Sequence, residues 1–443
     1  MRYCTRCLYP QNHPYGIIFD DEGVCSGCRV HEEKDTLDWP ARFKTLERIV
    51  QTGIRRTKNN AFDCVVPVTG GADSYFIVHT VKNVLGMNPL LVNYNSHYNT
   101  KVGIRNLANL ATVFDCDLIM STLSPDLLKR ITRQSIRVYG SMYWQALAGY
   151  LTFPVQVAVK YRTPMIVWGV QPWSEQTGMF SHLDEVEMTE RCRVEHGLMG
   201  IYGKELVDEA AGVRPQDLLA FTYPDDSHLE AVGVRGIYLS NYIRWDAKAQ
   251  HEQMIDRYGY ESAVQQRTFN TYEDVHCFHS AGLHDYLKYL RLGYSKVTDH
   301  ASREIRLKRM TREEGIAMVQ RYSEVEPADL NLFLDWVGME KDEFMQCVWN
   351  RRDPAIWNKG ADGAWSLLDS IASHAGGPAV EAARLAKVEE CHYRITPTAE
   401  PHAKEDSYLL MGRGYIDQNN YGAVDDKPAD GGVTPRTWQV PAL

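Results

Sequence analysis

A short loop rich in glycine and hydroxyl side chains is the segment of this sequence best suited to chemistry. Glycines let a backbone approach an anion closely, and the N–H groups that open a helix favour negative charge. A hydroxyl can donate hydrogen bonds to phosphate oxygens, and the carboxylate can hold Mg²⁺. The alternative is an ordinary strand-to-helix turn. The predicted ligands of a phosphate group and of Mg²⁺ are Thr69, Gly70, Gly71, Ala72, Asp73 and Ser74.

Four of the ten cysteines form a second constellation, because they come as two Cys-x-x-Cys pairs separated by 17 residues. This spacing is typical of two knuckles that close a tetrahedral zinc site, and four thiolates leave no open position for catalysis. A redox dithiol or an iron-sulfur cluster is the alternative. The predicted structural zinc ligands are Cys4, Cys7, Cys25 and Cys28.

The elements around the loop alternate between strands and helices. The apolar run 62–68 ends at the loop, and a helical pattern follows over 74–85. Further strands are predicted at 89–93, 117–120 and 163–169, with helical patterns over 102–114 and 126–161 between them. This order predicts an α/β fold with a parallel sheet covered by helices on both faces.

Ligands of such sheets bind at the carboxyl ends of the strands. Two strand ends offer candidates for contact with adenosine, and packing at the strand ends is the alternative. The candidates are Asn93, Tyr94, Trp168 and Gly169.

Changes in composition divide the chain into six regions. The predicted regions are a zinc-binding module at 1–33, a helical connector at 34–58, an ATP-binding core at 59–178, a helical substrate-facing extension at 179–330, a C-terminal helical region at 331–395 that includes a helix at 376–388, and an irregular tail at 396–443.

Charge and hydropathy restrict the function. A net charge of -9, from 48 Lys and Arg against 57 Asp and Glu, argues against a surface built to neutralise nucleic acid. The sequence has no apolar run of about 20 residues and no secretory signal at its start. We therefore expect a cytoplasmic protein that does not insert into a membrane.

The loop resembles the signature Ser-Gly-Gly-x-Asp-Ser of the PP-loop ATP pyrophosphatases. Thr69 replaces the first serine and keeps its hydroxyl, and no lysine follows the glycines as it does in the Gly-x-x-x-x-Gly-Lys-Ser/Thr loop. The resemblance implies attack at the α-phosphate of ATP with release of pyrophosphate.

A second resemblance, to the N-acetyl sugar amidotransferases, extends roughly from residue 3 to residue 322. It includes both cysteine pairs and the motifs Met188-Thr189-x-Arg191-x-Arg193-x-Glu195-His196 and Trp245-Asp246-x-x-x-x-x-Glu252. Its other segments are 284–289, 298–306 and 311–315.

This family resemblance implies ATP-dependent conversion of an acetamido group into an acetamidino group on a nucleotide-linked sugar of surface polysaccharide synthesis. Adenylation of the amide oxygen would create a leaving group, and ammonia would then add. Related enzymes receive ammonia from a separate glutaminase that works with a cyclase-like partner. This sequence contains no obvious glutaminase, so both partners are expected.

Several charged residues within these motifs could serve the reaction. Arginine suits paired contacts with carboxylate or diphosphate, and lysine can stabilise charge on the α-phosphate. The alternatives are ion networks on helix surfaces and solvent-exposed lysines. The predicted substrate ligands are Arg191, Arg193, His196, Asp299, His300, Arg303 and Arg306, and the predicted catalytic groups besides Asp73 are Lys248 and Lys288.

Two other functions compete with amidotransfer. Enzymes that thiolate transfer RNA share the zinc module and the loop, and would need catalytic thiols, for which Cys192 and Cys277 are conceivable. The chain could also be a non-catalytic assembly protein whose nucleotide loop only regulates it.

Overall fold

A computed structural model describes residues 1–375 of the chain. The helix predicted at 376–388, the end of the predicted region 331–395 and the tail predicted at 396–443 lie outside the described residues.

Five parallel strands form the central sheet in the order β3-β2-β1-β4-β5, which confirms the predicted fold class. The phosphate loop follows the central strand, so it lies at the carboxyl edge between the ends of β2 and β4. The strands are β1 (Cys64–Pro67), β2 (Pro89–Asn95), β3 (Leu118–Thr122), β4 (Met165–Trp168) and β5 (Arg235–Tyr238).

Fourteen α-helices lie around this sheet and in the regions before and after it within residues 1–375. The first helix after the loop, α3, continues directly into a π-helical turn, His79–Val84. The helices are α1 (Ser26–Glu33), α2 (Trp39–Arg56), α3 (Ala72–Val78), α4 (Lys101–Val113), α5 (Pro125–Tyr139), α6 (Trp144–Lys160), α7 (Pro172–Thr177), α8 (Asp226–Val232), α9 (Ala247–Tyr258), α10 (Leu283–Leu292), α11 (Lys296–Arg306), α12 (Arg312–Tyr322), α13 (Leu330–Val337) and α14 (Lys341–Trp349).

Four apolar clusters hold these layers together, and the smallest of them joins α6 to β1, β2 and β4. One lies between the sheet and α2, α3, α4 and α9, and a second joins α5 and α6 to α10, α13 and α14. In the third, Leu8 and Val24 of the cysteine module pack with Val297, Ala301 and Ile305 of α11. The module is therefore built into the same body as the helices that follow the sheet.

The helical stretch predicted at 126–161 divides into two helices, α5 and α6. Gly140 ends α5 with φ +66°, a conformation that favours glycine. A Cβ at this position would lie 2.2 Å from Cδ of Arg351, so the side chain of the later segment also occupies the space.

Two β elements depart from the predicted helical regions. Strand β5 comes from inside the predicted extension, so the boundary at 178 cuts through the sheet. It has only four residues, begins with exposed Arg235 and contains Gly236, so no apolar periodicity marks it. In the region predicted as helical after 331, the three-residue strands β6 (Trp357–Lys359) and β7 (Trp365–Leu367) form a hairpin.

Within residues 1–375, none of the helices has both the length and the apolar character that crossing a membrane requires.

Candidate active site

The phosphate loop folds as a cradle closed by its own hydroxyl groups. Oγ of Ser74 accepts from the Thr69 N–H at 3.1 Å, and Oγ1 of Thr69 accepts from the Gly71 N–H at 3.2 Å. Since each hydroxyl oxygen is used as an acceptor, its own proton stays available for an anion. Gly70 has φ +77°, and a Cβ there would lie 2.5 Å from the carbonyl oxygen of Gly103. The loop therefore fits a phosphate group and requires this glycine.

Asp73 stands at the start of α3 with a buried Oδ1 that has no hydrogen-bond partner among the described residues. Burial, reinforced by the negative charge of Glu273, raises the pKa of Asp73 to about 7, although Arg303 acts in the opposite direction. A carboxylate that is disfavoured in this way gains from a cation, and Mg²⁺ prefers oxygen ligands. The side chain thus fits the predicted role of magnesium ligand.

A segment from later in the chain, residues 272–278, lies over the loop. Oγ1 of Thr100 donates to the Val275 carbonyl at 2.5 Å, and the Thr100 N–H donates to the His276 carbonyl at 3.1 Å. Thr100 is the N-cap of α4, just beyond the end of β2, so these bonds fix the segment at the carboxyl edge of the sheet. A Cβ on Gly71 would lie 3.0 Å from Nδ1 of His276, an atom that has no hydrogen-bond partner within residues 1–375.

Helix α11 supplies cations to the two carboxylates of this segment. Arg303 forms a bidentate pair with Glu273, with N···O distances of 2.7 and 2.6 Å. Nε2 of His300 lies 3.3 Å from the same carboxylate, and Nζ of Lys296 lies 2.7 Å from Oδ2 of Asp274.

These pairs determine which carboxylates are ionised. Burial alone would raise the pKa of Glu273, but Arg303 and His300 outweigh it and bring the pKa down to about 2. Lys296 and His276 likewise overcome burial at Asp274 and lower its pKa. Burial lowers the pKa of His300 to about 4, so its imidazole is neutral near pH 7. Of the three carboxyl groups Asp73, Glu273 and Asp274, Asp73 is the one whose pKa is near neutral pH.

Of the residues predicted to contact adenosine, Asn93 and Tyr94 are buried, whereas Trp168 and Gly169 lie at the end of β4. The amide of Asn93 donates to the Val68 carbonyl at 2.8 Å, and the Tyr94 hydroxyl donates to Gln145 at 2.9 Å. Both side chains are buried, as the packing alternative requires. Trp168 is half-buried with an unpartnered indole N–H, and Gly169 packs closely against Ile77.

The two arginines and the histidine of the motif at 188–196 do not contact one another's partners: one arginine is buried, the other is exposed, and the histidine packs against an aromatic ring. Arg193 is 5% exposed and donates to Oγ1 of Thr152 and to the Phe221 carbonyl, both at 2.8 Å. Arg191 has an 81% exposed side chain and pairs with Glu195 at 2.9 Å, the arrangement of a helix-surface ion pair. Its neighbour His196 packs edge-on against Phe180. None of the contacts formed by these three residues reaches the phosphate loop.

The other predicted ionic residues lie in ion pairs outside the carboxylate cluster at the loop. Lys288 pairs with Asp299 at 2.5 Å, and Lys248 pairs with Glu252 within α9. Arg306 points from α11 to the cysteine cluster, where Nη2 lies 3.5 Å from Sγ of Cys25.

The four paired cysteines converge as the spacing predicts. All are buried, and their sulfur atoms lie within 4.8 Å of one another. A tetrahedral zinc ion with bonds of about 2.3 Å requires sulfur atoms roughly 3.8 Å apart. The pairs Cys4–Cys28 and Cys7–Cys25 are separated by 4.0 and 3.6 Å. The backbone N–H groups of Arg6, Cys7 and Cys25 donate to Sγ of Cys4. The donor set fits a closed zinc centre.

The two thiols considered for sulfur transfer have different surroundings. Burial raises the pKa of Cys277 to about 11, and the Tyr143 hydroxyl donates to its sulfur at 3.5 Å. A thiol with such a pKa is a poor nucleophile near pH 7. Half-buried Cys192 donates to the Glu187 carbonyl. No observed contact joins the two sulfur atoms.

The segment over the loop was not predicted from the sequence. Glu273, Asp274 and His276 lie about 200 residues beyond the loop, in a polar stretch without periodicity. Lys296 begins the helix whose later residues were predicted to bind substrate. The density of acidic and imidazole groups at 273–279 is the signal that marks this segment.

Part of the chain matches a known protein family. Residues 256–372 match the C-terminal domain of LPS biosynthesis protein WbpG-like proteins. This domain contributes both the segment over the loop and helices α10 to α12. It includes 284–289, 298–306 and 311–315, and so confirms over this part of the chain the family resemblance seen in the sequence.

More distant similarities were also found. Uncharacterized protein MJ1599 of Methanocaldococcus jannaschii is 23% identical over 134 residues, which are 29% of this chain and 47% of that protein. The chain thus matches about half the length of this curated relative.

Two solved structures share a limited likeness with the fold. NH3-dependent NAD synthetase from Campylobacter jejuni has a TM-score of 0.26 at 12% identity, over 44% of this chain and 92% of that chain. NMN synthetase from Francisella tularensis has a TM-score of 0.26 at 11% identity, over 52% of this chain and 98% of that chain.

Proposed function

We propose that this chain is an ATP-dependent amidotransferase of surface polysaccharide (LPS O-antigen) synthesis. It would convert the acetamido group of a nucleotide-linked N-acetyl sugar into an acetamidino group and release AMP and pyrophosphate. The WbpG-like domain at 256–372 supports the pathway, and the loop at 69–74 supports the use of ATP.

One observation carries the proposal. Oδ1 of Asp73 has no partner among the described residues, Asp73 follows the glycines of the loop, and the charge of Glu273 in the WbpG-like region acts on it. The residue predicted to bind magnesium, the loop predicted to bind phosphate and the WbpG-like region are therefore neighbours. A buried carboxylate oxygen gains from a partner, and oxygen ligands suit Mg²⁺, so Asp73 is suited to bind this cation.

Each part of the loop has a proposed role in binding ATP. The backbone at Gly70 and Gly71 and the hydroxyls of Thr69 and Ser74 would hold the phosphates of ATP. Asp73 would hold the Mg²⁺ that neutralises charge as pyrophosphate leaves. Fixed cations such as Arg303 and Lys296 keep the neighbouring carboxylates ionised and in place.

The chemistry balances with ammonia as the nitrogen source. The acetamido oxygen attacks the α-phosphorus while the bond to pyrophosphate breaks, which gives an O-adenylated imidate. Ammonia adds to the imidate carbon, and the carbon-oxygen bond breaks so that AMP carries away the former amide oxygen. Loss of protons from the added nitrogen leaves the acetamidino group.

A separate glutaminase with a cyclase-like partner would supply the ammonia, as the family resemblance implies. Exogenous ammonium can replace both proteins in a test. Transfer-RNA thiolation has less support, because Cys277 is a buried thiol whose pKa is about 11.

The test uses the full chain with Mg²⁺, ATP, ammonium salt and a panel of nucleotide-linked N-acetyl sugars. AMP and pyrophosphate are measured together with the mass of the sugar. We expect a product lighter by about one mass unit, the exchange of O for NH, in a one-to-one ratio with AMP.

Asp73→Ala should abolish both products. Asp126→Ala changes an exposed aspartate of α5 outside the site and should retain them. ATP cleavage that no sugar stimulates, but that transfer RNA and a sulfur donor do, would replace amidotransfer with thiolation. ATP binding with no pyrophosphate release in any mixture would identify a regulatory protein.

A further inference from the structure

Helix α11 lies between the cysteine cluster and the segment over the phosphate loop, and two of its faces contact these two regions. The face with Lys296, His300 and Arg303 has helical spacing of four and three residues. All three side chains contact Glu273 or Asp274, as described above. This face therefore fixes the acidic segment above the loop.

The second face, with Asp299, Ser302 and Arg306, has the complementary spacing of three and four residues. Oδ1 of Asp299 accepts from the Tyr9 hydroxyl at 2.9 Å, and Oγ of Ser302 accepts from the Leu8 N–H at 3.3 Å. Both donors belong to the first cysteine knuckle. One rigid helix thus joins the knuckle to the carboxylates of the site.

Arg306 makes the contact that depends on the thiolates themselves. Its Nη2 lies 3.5 Å from Sγ of Cys25 and 3.8 Å from Sγ of Cys7, and the residue is only 7% exposed. A divalent ion bound by four thiolates leaves two net negative charges, which this buried guanidinium partly balances. A Cβ on Gly27 would lie 2.3 Å from Nη2, so glycine makes room for the arginine.

The same guanidinium reaches the sheet edge. Nη1 of Arg306 donates to the Glu175 carbonyl at 2.7 Å, and Glu175 belongs to α7, which begins just after β4. The Glu175 side chain pairs with buried Lys34 at 2.6 Å. Oγ of Ser26 donates to the Thr177 carbonyl at 2.5 Å. The second knuckle and α1 are therefore attached to a helix at the active edge as well.

We propose that the zinc-loaded cysteine module positions the segment 272–278 over the phosphate loop through α11, and that Arg306 is the positioning residue that couples them. Loss of the metal frees the four sulfur atoms from their fixed positions, so Arg306 loses the geometry of its contacts with Cys7 and Cys25. Movement of Arg306 then releases α11 from the module, and with it the three side chains that hold Glu273 and Asp274.

The test uses the full, zinc-loaded chain and does not depend on ATP cleavage. It measures zinc transfer to a colorimetric chelator and amide hydrogen exchange at 272–278 and 296–306. The N–H groups of Tyr272, Glu273, Cys277 and Phe278 are hydrogen-bonded in the intact structure, so loosening is visible as faster exchange.

Arg306→Met should release zinc about tenfold faster or more, the usual scale of the effect when a group that supports metal ligands is removed. It should also raise exchange at 272–278 while zinc is still bound. Arg306→Lys keeps the charge, but a single ammonium cannot reach both Cys25 and the Glu175 carbonyl as a guanidinium does, so its effects should be intermediate. Arg321→Met, at an exposed arginine of α12, is the matched control and should change neither quantity.

Removal of zinc from the unaltered chain gives a second test that does not depend on how Arg306→Met folds. Exchange at 272–278 should rise on zinc removal, while the strands β1 and β2 should keep their protection. Unchanged exchange at 272–278 would overturn the coupling, and unchanged zinc release in both Arg306 variants would overturn the role of Arg306. A chain that retains no zinc after loading would overturn the whole proposal. If zinc release and amide exchange change as expected but the chain cleaves no ATP, the proposed function would be wrong and this coupling would still hold.

Discussion

The cysteine cluster and the phosphate loop both bury groups that carry charge, but they differ in how completely those groups are satisfied. At the cluster, Sγ of Cys4 accepts three backbone N–H groups, and Arg306 faces Cys7 and Cys25. At the loop, Oδ1 of Asp73 and Nδ1 of His276 have no partner among the described residues. The sulfur atoms of the first region, the closed site, have partners in the protein, although Nε of Arg306 has none among the described residues. In the second region, the open site, two polar atoms next to the loop have no such partners.

This difference is what structural and reactive sites require. A structural metal centre gains from a complete shell of supporting hydrogen bonds, because the shell fixes the ligands. A reaction site must leave atoms free for the substrate and the cation, and the protein accepts an unfavourable charge to do so. The raised pKa of Asp73 is the sign of that unfavourable charge. The following changes test this distinction.

The largest effect is expected at the closed site. Cys25→Ser removes one of four thiolates and leaves a buried hydroxyl beside Arg306. We expect loss of bound zinc and a destabilisation on the order of 5 kcal/mol, or no soluble protein. Zinc content and thermal unfolding measure both. Cys347→Ser, at a half-buried cysteine of α14, should keep the zinc. A Cys25→Ser chain that retains zinc and melts normally would refute the closed centre.

The next effect is on the rate and leaves the fold intact. Asp73→Asn removes the charge that is to hold Mg²⁺ and keeps the shape of the side chain. We expect a fall in pyrophosphate release of about 10² to 10³-fold, with an unchanged or higher melting temperature in the absence of Mg²⁺. Asp126→Asn is the control for the change of charge at an exposed position. Normal turnover by Asp73→Asn would remove this residue from the mechanism.

An intermediate effect is expected from Glu273→Gln, which breaks the bidentate pair with Arg303. The arginine keeps a contact with Glu304 at 3.5 Å, so we expect a loss of about 2–3 kcal/mol of stability. The change also removes the neighbour that most raises the pKa of Asp73, so the pH midpoint of activity should shift to lower pH. Pyrophosphate release is measured from pH 5.5 to 8.5. Glu313→Gln is the exposed control, and an unshifted midpoint would argue against this coupling.

A smaller effect should appear as a pH dependence of stability. Asp73 has a pKa of about 7 in the fold, above the roughly 3.9 of an unfolded aspartate. The fold therefore favours the protonated form, and stability is lost as the pH rises from about 4 to about 7. In EDTA, the chain should lose about 1–2 kcal/mol relative to Asp73→Asn between pH 5.5 and 8.5, where the variant lacks the titrating group. Parallel pH profiles would contradict the raised pKa.

The convergence of the four cysteines could be predicted from the sequence, whereas Arg306 beside them was predicted as a substrate ligand and the open site was predicted only in part. Cysteine spacing is local, so the knuckles could be recognised residue by residue, and the loop lies between a strand and a helix that both show periodicity. The carboxylates over the loop come from about 200 residues further along the chain. Their position depends on the pairing of 274–278 with 98–100, which no local pattern encodes.

The same reason explains the elements that were predicted incorrectly. Strand β5 is recognisable only beside β4, because its four residues show no alternation of their own. Asp299, His300, Arg303 and Arg306 were predicted together as substrate ligands, but the structure places them on two faces of α11 that point to different regions. Arg303 reaches the carboxylates and Arg306 the thiolates, three residues apart on one helix.

The smallest effect is expected at Arg191, which tests whether the motif at 188–196 belongs to the open site. Its exposed pair with Glu195 should contribute little, so Arg191→Ala should change stability by less than about 0.5 kcal/mol. Arg193→Lys should cost about 1 kcal/mol, because an ammonium cannot donate to both Thr152 and the Phe221 carbonyl. We expect the KM for the nucleotide sugar to stay unchanged in Arg191→Ala. An increase of about tenfold or more, with stability unaltered, would assign Arg191 to the substrate and extend the open site to this motif.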